Sequence, residues 1–303
     1  MKGSPAKWSR PPLGGDVTVS TAFAALCTAA LTQVAANAPG VARGDDPEYL
    51  HQLRVGLRRL LSAMRSFRPL LKRRRAKAVA RPLREAMQVF GAARDWDVLM
   101  TTLQRAQATP ALRSSAERQR AGAAEQARAH AGSAEFHGAK NAVMRWLEDA
   151  PWRASAEPDE PFAGYARTAL VRAHRKLRAR ARGIDWRDRE RRHAVRIALK
   201  RLRYSCDFFR GCFPARAVHR FLRRLGKLQD TLGELNDVAV AHALLAELAG
   251  NSDDVRRWLA RREKALIASL AKDWAAFERL PPYWRRPAPR ARRRTPRASA
   301  SRA

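Results

Sequence analysis

The sequence is poor in acids, cysteines and aromatics, and each shortage excludes something. Asp and Glu number 28 against 61 Lys and Arg, a formal net charge of +33. No carboxylate cluster of the kind that holds a catalytic metal is visible, which disfavours a phosphohydrolase. A field of this sign attracts polyanions: nucleic acid, an anionic membrane surface or condensed phosphates. Only three cysteines occur, Cys27, Cys206 and Cys212. An odd number without metal spacing argues against a disulfide framework and fits a reducing cytoplasm. Cys206 and Cys212 are read as small core fillers. The tryptophans are scattered and build no platform on which bases would stack.

Catalytic signatures are missing as well. There is no H-E-x-x-H, no G-x-S-x-G, no phosphate-binding Gly-rich loop and no dinucleotide turn. Histidines 130, 137, 174, 219 and 242 have no paired spacing and are read as surface or boundary residues. The apolar run 21–31 resembles part of a signal peptide. However, Pro5, Pro11, Pro12 and Asp16 precede it, and Thr32 and Gln33 break it. It is read as the first helix of the fold, with no membrane span. Strand-like alternation is absent too, so the chain reads as all-α.

What the sequence does contain is one stretch written twice. Residues 46–60 are D-P-E-Y-L-H-Q-L-R-V-G-L-R-R-L and residues 188–202 are D-R-E-R-R-H-A-V-R-I-A-L-K-R-L. Seven of the fifteen positions are identical at an offset of 142, among them His51/His193, Arg54/Arg196, Leu57/Leu199 and Arg59/Arg201. The offset still holds where Gly91…Arg94-Asp95 lies over Gly233…Asn236-Asp237. A register kept without a gap indicates two copies of one structural unit. Each copy opens on a helix start, with Asp46 and Asp188 as N-caps. Leu53, Leu57, Leu60, Met64 and Phe67 form an apolar stripe, repeated by Val195, Leu199, Leu202, Cys206 and Phe209. A second stripe, turned away from the first, carries His51, Arg54, Arg58 and Arg65, and again His193, Arg196, Lys200 and Arg203.

Along the chain, residues 1–15 are expected to be loose. Helix 1 is expected over Val17–Asn37, ended by Pro39-Gly40. The motif helix follows from Pro47 to about Arg68. A basic helix runs from Lys72 to Phe90, closed by Gly91, and Asp95 is expected to cap the next. Further helices are expected over Pro110–Ala131 and Glu135–Asp149. Residues 150–161, rich in Pro and acid, read as a linker between a first half (16–150) and a second (162–284). The second half is expected to repeat the plan: Phe162–Arg182, Arg189–Cys212, Pro214–Leu232, then Val238–Ala249 capped by Asn236-Asp237, and a closing helix capped by Ser252. Residues 285–303 hold eight Arg and no acid and read as a disordered tail able to act as a second anchor.

The cation stripes point to an anion. On a helix, positions three and four apart rise by roughly 4.5–6 Å, which suits a thin linear polyanion in a groove. Arg offers a fork to phosphate oxygens and Lys a compact point charge. Asp95, Asp97 and Asp237 are read as N-caps that also pair with an Arg of the motif helix.

The stretches H-Q-L-R-V-G-L-R-R-L (51–60), F-G-A-A-R-D-W-D-V-L (90–99), H-A-V-R-I-A-L-K-R-L-R-Y (193–204) and L-Q-D-T-L-G-E-L-N-D (228–237) resemble the CHAD family, the conserved-histidine α-helical domains. The resemblance spans about Asp16 to Leu280. It implies two four-helix bundles related by a pseudo-twofold with a basic groove or pore between them, non-enzymatic binding of inorganic polyphosphate, and association with polyphosphate granules and their proteins. His51, Arg54, Arg58, Arg59, His193, Arg196, Lys200, Arg201 and Arg203 map onto the positions the resemblance assigns to the site. Tyr204 ends the second motif where the first has Ser62, to which no role is given. About fifteen residues precede helix 1, so the triphosphate-tunnel activity carried by many relatives is expected to be absent. No cofactor is implied. The alternative partner is nucleic acid, bound by the same positive field.

Overall fold

The computed structural model describes residues 4–152 and 161–285. The tail beyond Arg285 and most of the proposed linker lie outside the described residues. Nine α-helices account for nearly all of the described chain: α1 (Val19–Arg43), α2 (Pro47–Ser66), α3 (Arg73–Arg105), α4 (Pro110–Gly132), α5 (Ala134–Asp149), α6 (Phe162–Ala181), α7 (Arg189–Phe208), α8 (Ala215–Leu245) and α9 (Asp253–Glu278). A lone antiparallel bridge joins Thr18 to Pro161.

The repeated stretches become α2 and α7. Asp46 and Asp188 cap them, accepting from the N–H groups of Glu48 at 2.7 Å and Arg191 at 3.0 Å. Both apolar stripes are buried throughout. Helix α2 packs along α1, and Gly56 permits the approach: a Cβ there would come within 2.8 Å of Val34 Cγ2. Helices α1 to α4 pack in a ring with α5 laid over α1, α3 and α4; α6 to α9 form the second set. The halves meet through equivalent helices, α2 on α7 and α3 on α8. Phe67 and Phe209, equivalent positions in the two copies, touch at 5.6 Å between ring centroids. An equivalent pair in mutual contact is what a local twofold produces.

Several expected boundaries differ. Helix α1 runs on through Pro39 and Gly40 to a left-handed cap at Gly44. Gly40 is a packing residue, because a Cβ there would overlap the Tyr49 ring. Gly91 and Gly233 do not end helices, and Asp95 and Asp237 are not N-caps; α3 and α8 continue through both. The buried rows Leu83, Ala86, Phe90, Ala93, Trp96 and Leu225, Leu228, Leu232, Leu235 outweigh one glycine each, worth about 1 kcal/mol of helix propensity. Helix α7 stops at Phe208 and passes into a 3-10 turn over Arg210–Cys212. Ser252 stands at the start of α9 without a capping bond; its Oγ accepts from Arg256 Nε instead.

Residues 4–15 are not loose where they are described. The Asn37 amide exchanges two hydrogen bonds with the Ala6 backbone, at 3.0 and 2.9 Å, and Trp8 lies 4.6 Å from the Arg59 guanidinium. Asn37 is fully buried, so this backbone supplies partners that its amide would otherwise lack. His174 is likewise buried, among Phe221, Phe277 and Trp284, and burial pushes its pKa down to about 4.

Helix α1 is long and apolar enough to cross a membrane, yet 56% of its most apolar window is buried inside the fold. All three cysteines are free and buried.

Candidate anion-binding site

The crossing of α2 and α7 decides which cations meet. Arg59 Nη1 donates to Asp207 Oδ2 at 2.9 Å, and the Ser66 and Ser205 hydroxyls lie 3.3 Å apart. The helices therefore cross near Ser62 and Tyr204. One turn before the crossing, on the N-terminal side of each helix, stand the equivalent residues Arg58 and Lys200. One further turn back stand Arg54 and Arg196.

These four cations lie within electrostatic reach across the junction. Arg58 acts on Arg196 and on Lys200, and Arg54 acts on Lys200. From the α3–α8 side, Arg94, Asp95 and Asp237 face the same cluster. Burial and the neighbouring cations Arg196 and Arg58 pull the Lys200 ammonium from 10.5 down to about 7. Burial and Arg58 lower Arg54 to about 10. Burial lowers Arg196 against the opposing pull of Asp237. Asp95 and Asp237 are raised, by burial first, although Arg54 and Arg196 respectively oppose the shift; the Asp237 charge adds to the rise at Asp95. The cluster is thus a desolvated concentration of positive charge with two internal carboxylates too few to neutralise it.

Two hydrogen-bond donors in it are left over. Arg54 Nη1 and Arg196 Nε are buried and have no hydrogen-bond partner among the described residues. They belong to equivalent residues of the two copies. Each buried unmade hydrogen bond costs about 1–3 kcal/mol, so an acceptor brought between the helices would relieve both.

The other sequence-selected residues are distributed unevenly. His51 is half-buried beside the cluster, and burial, followed by Arg94, Arg58 and Arg54, outweighs Glu48 and lowers its pKa below 6.5. His193 is exposed and lines a cleft of about 330 Å³ with Arg189, Arg196 and Asn236. Arg203 is half-buried and reaches over α8 at Gly226. Arg65 and Arg201 are exposed and lie within reach of each other. Arg59 is engaged by Asp207 and Trp8, so its guanidinium ties the halves together. Tyr204 stacks on Phe208 and faces Arg59.

Arg94 was given no role by the sequence reading, yet it acts on Arg54, His51, Asp95 and Asp237. The signal was present: Arg94-Asp95 recurs as Asn236-Asp237 in the repeat register. Asp97 pairs with Arg94 and Arg120 and also acts on Arg54. Among the described residues no group of three or more His, Cys, Asp or Glu could hold a metal ion.

The comparisons with known proteins agree with this fold. The CHAD domain family model matches residues 25–246. The crystal structure of the CHAD domain from the plant Ricinus communis is similar at 29% identity, with a TM-score of 0.77, covering 93% of this chain and 99% of that one. PptA from Streptomyces chartreusis shares the fold at 17% identity and a TM-score of 0.63, over 89% of this chain and 100% of that one. No curated protein matches.

Proposed function

The chain belongs to the CHAD domain family, and we propose that it binds inorganic polyphosphate non-enzymatically, as a cytoplasmic protein recruited to polyphosphate granules. The observation that carries this reading is the convergence of Arg54 and Arg58 from one copy with Arg196 and Lys200 from the other, each copy contributing a buried guanidinium N–H without a hydrogen-bond partner among the described residues. Such a pair asks for an acceptor that is anionic, slender enough to enter between two helices, and rich in oxygens. A phosphate chain meets all three requirements. A duplex is too wide to enter, and would reach only the outer rim of the cluster.

What surrounds the cations supports binding rather than turnover. The carboxylates Asp95 and Asp237 are each set against an arginine, and among the described residues no group of three or more His, Cys, Asp or Glu could hold a metal ion. The ligand would be gripped by electrostatics and hydrogen bonds, and mass action would stabilise the fold against cation repulsion.

The deciding experiment is competition. Long-chain polyphosphate bound to the protein is challenged with duplex DNA at equal phosphate concentration. Retention of polyphosphate supports the reading; displacement by DNA makes the protein a general nucleic-acid binder. Release of orthophosphate from polyphosphate with Mg²⁺ would make it a hydrolase.

A further inference from the structure

The local twofold gives every contact at the α2–α7 crossing a counterpart, and one counterpart does not match. At the offset of 142, Arg59 corresponds to Arg201 and Asp207 to Arg65. The ion pair Arg59–Asp207, at 2.9 Å, is therefore answered by Arg201 beside Arg65. Two like charges stand where the other side of the dyad has a salt bridge. Arg180 adds a third guanidinium within reach of Arg201. All three are exposed and make no ion pair among the described residues.

The mismatch extends to the rings. Arg59 lies against Trp8 at 4.6 Å and Tyr204 at 6.0 Å. The residue equivalent to Tyr204 is Ser62, and no ring lies over Arg201 among the described residues. Trp8 arrives on a segment tied down on both sides of it. The Asn37 amide holds Ala6, and the Ala163 N–H donates to Gly15 O at 3.2 Å. Gly211 makes room for this segment, because a Cβ there would overlap Leu13 O. At Arg59 the chain thus supplies, from its own segments, a carboxylate and two aromatic faces. Arg201 has the same guanidinium and none of the three.

We infer that the edge formed by Arg65, Arg180 and Arg201 docks an acidic segment of a partner protein, one that brings a carboxylate to Arg201 and an aromatic side chain onto its guanidinium face. The filled position at Arg59 is the template for the open one. An arginine fork receives a carboxylate through two parallel N–H bonds, and a ring over the guanidinium adds a cation–π contact. A phosphate chain would answer the charge but has no ring to offer, so the aromatic half of the template favours a peptide. A second copy of this chain does not fit, since residues 4–15 bring Lys7 and Arg10 and no acid. The inference stands independently of the polyphosphate reading.

The test titrates the full chain with two labelled peptides of equal charge, one carrying Asp-Trp-Asp in a Gly-Ser background and the other Asp-Ala-Asp. The wild type is expected to hold the Trp peptide more tightly by about threefold or more, the worth of one exposed cation–π contact. Arg65→Asp writes the counterpart of Asp207 into the first copy. It should abolish that preference and raise the melting temperature, with circular dichroism verifying the fold. The double variant Arg54→Gln, Arg196→Gln, which strips the central cluster, should keep the preference. Equal affinity for the two peptides, or a preference that survives Arg65→Asp, overturns the docking edge. Loss of the preference in the central double variant overturns it too, by moving the peptide to the cluster. Displacement of the Trp peptide from that double variant by tripolyphosphate at equal charge makes the edge a phosphate surface instead. A preference that emerges only after Glu157, Asp159 and Glu160 are all changed to Gln makes that acidic stretch of the chain the occupant, and overturns the partner.

Discussion

Gly91 on α3 lies directly beneath the Arg54 guanidinium: a Cβ added at Gly91 would come within 3.1 Å of Arg54 Nη1. That nitrogen is the one left without a hydrogen-bond partner among the described residues. Mid-helix glycine costs about 0.5–1 kcal/mol relative to alanine, so the sequence gives up helix stability at the spot where Arg54 needs room. The Gly91→Ala variant is expected to resist denaturant better by up to about 1 kcal/mol, yet bind polyphosphate more weakly. Chemical denaturation and calorimetric titration read the two effects separately.

The pair Arg59–Asp207 joins residues 148 apart in sequence and one half to the other. Both side chains are largely covered, 17% and 25% exposed. An Asp207→Asn substitution should lower unfolding free energy by roughly 1.5–3 kcal/mol, the usual worth of a hydrogen bond to a charged group. Equilibrium denaturation measures it. The exposed Arg257–Asp254 pair should be nearly silent by comparison.

Lys200 gives the site its pH dependence. Its folded-state pKa, about 7, is below the ordinary 10.5, so between these values the unfolded chain holds more protons. Stability of the ligand-free protein should therefore rise with pH across that window. Polyphosphate acts in the opposite sense: it restores the ammonium, so binding takes up a proton above pH 7 and weakens as pH rises. A Lys200→Arg variant keeps its charge throughout and should flatten the profile between pH 7 and 9. His51→Gln should leave that part of the profile in place, because burial keeps His51 neutral there in the free protein. Titrations in buffers of different ionisation enthalpy count the protons.

Asp95 and Asp237 compete with the ligand for Arg54 and Arg196. Replacing both with Asn is expected to tighten polyphosphate binding, while the unliganded protein melts at a lower temperature because cation repulsion is less relieved. Calorimetry and thermal unfolding, with and without polyphosphate, report the two signs.

Much of this was legible in the residues. The duplicated motif placed α2 and α7, their Asp caps and their buried stripes, because 3.6-residue periodicity and capping are local properties. Helix ends at Pro39-Gly40 and Gly91 were misread because those glycines serve a neighbouring side chain, Tyr49 at Gly40 and Arg54 at Gly91, and a neighbour is invisible in a local pattern. At Gly233 a Cβ would meet nothing within 4 Å, and the buried row of α8 carries the helix through. The resemblance placed Arg59 with the ligand-facing cations; that the packing of α2 on α7 also brings Asp207 to its Nη1 is invisible in a local pattern. The all-α architecture rested on periodicity alone. That Arg54, Arg58, Arg196 and Lys200 meet across the junction required knowing where the two helices cross.

The central claim is that the two copies converge on one phosphate chain, and a crystal structure with a polyphosphate of defined length tests it most directly. The account predicts phosphate oxygens at about 2.7–3.2 Å from both Arg54 Nη1 and Arg196 Nε, on a single chain that passes between α2 and α7. A chain confined to the outer surface, with both nitrogens still unbonded, would contradict it.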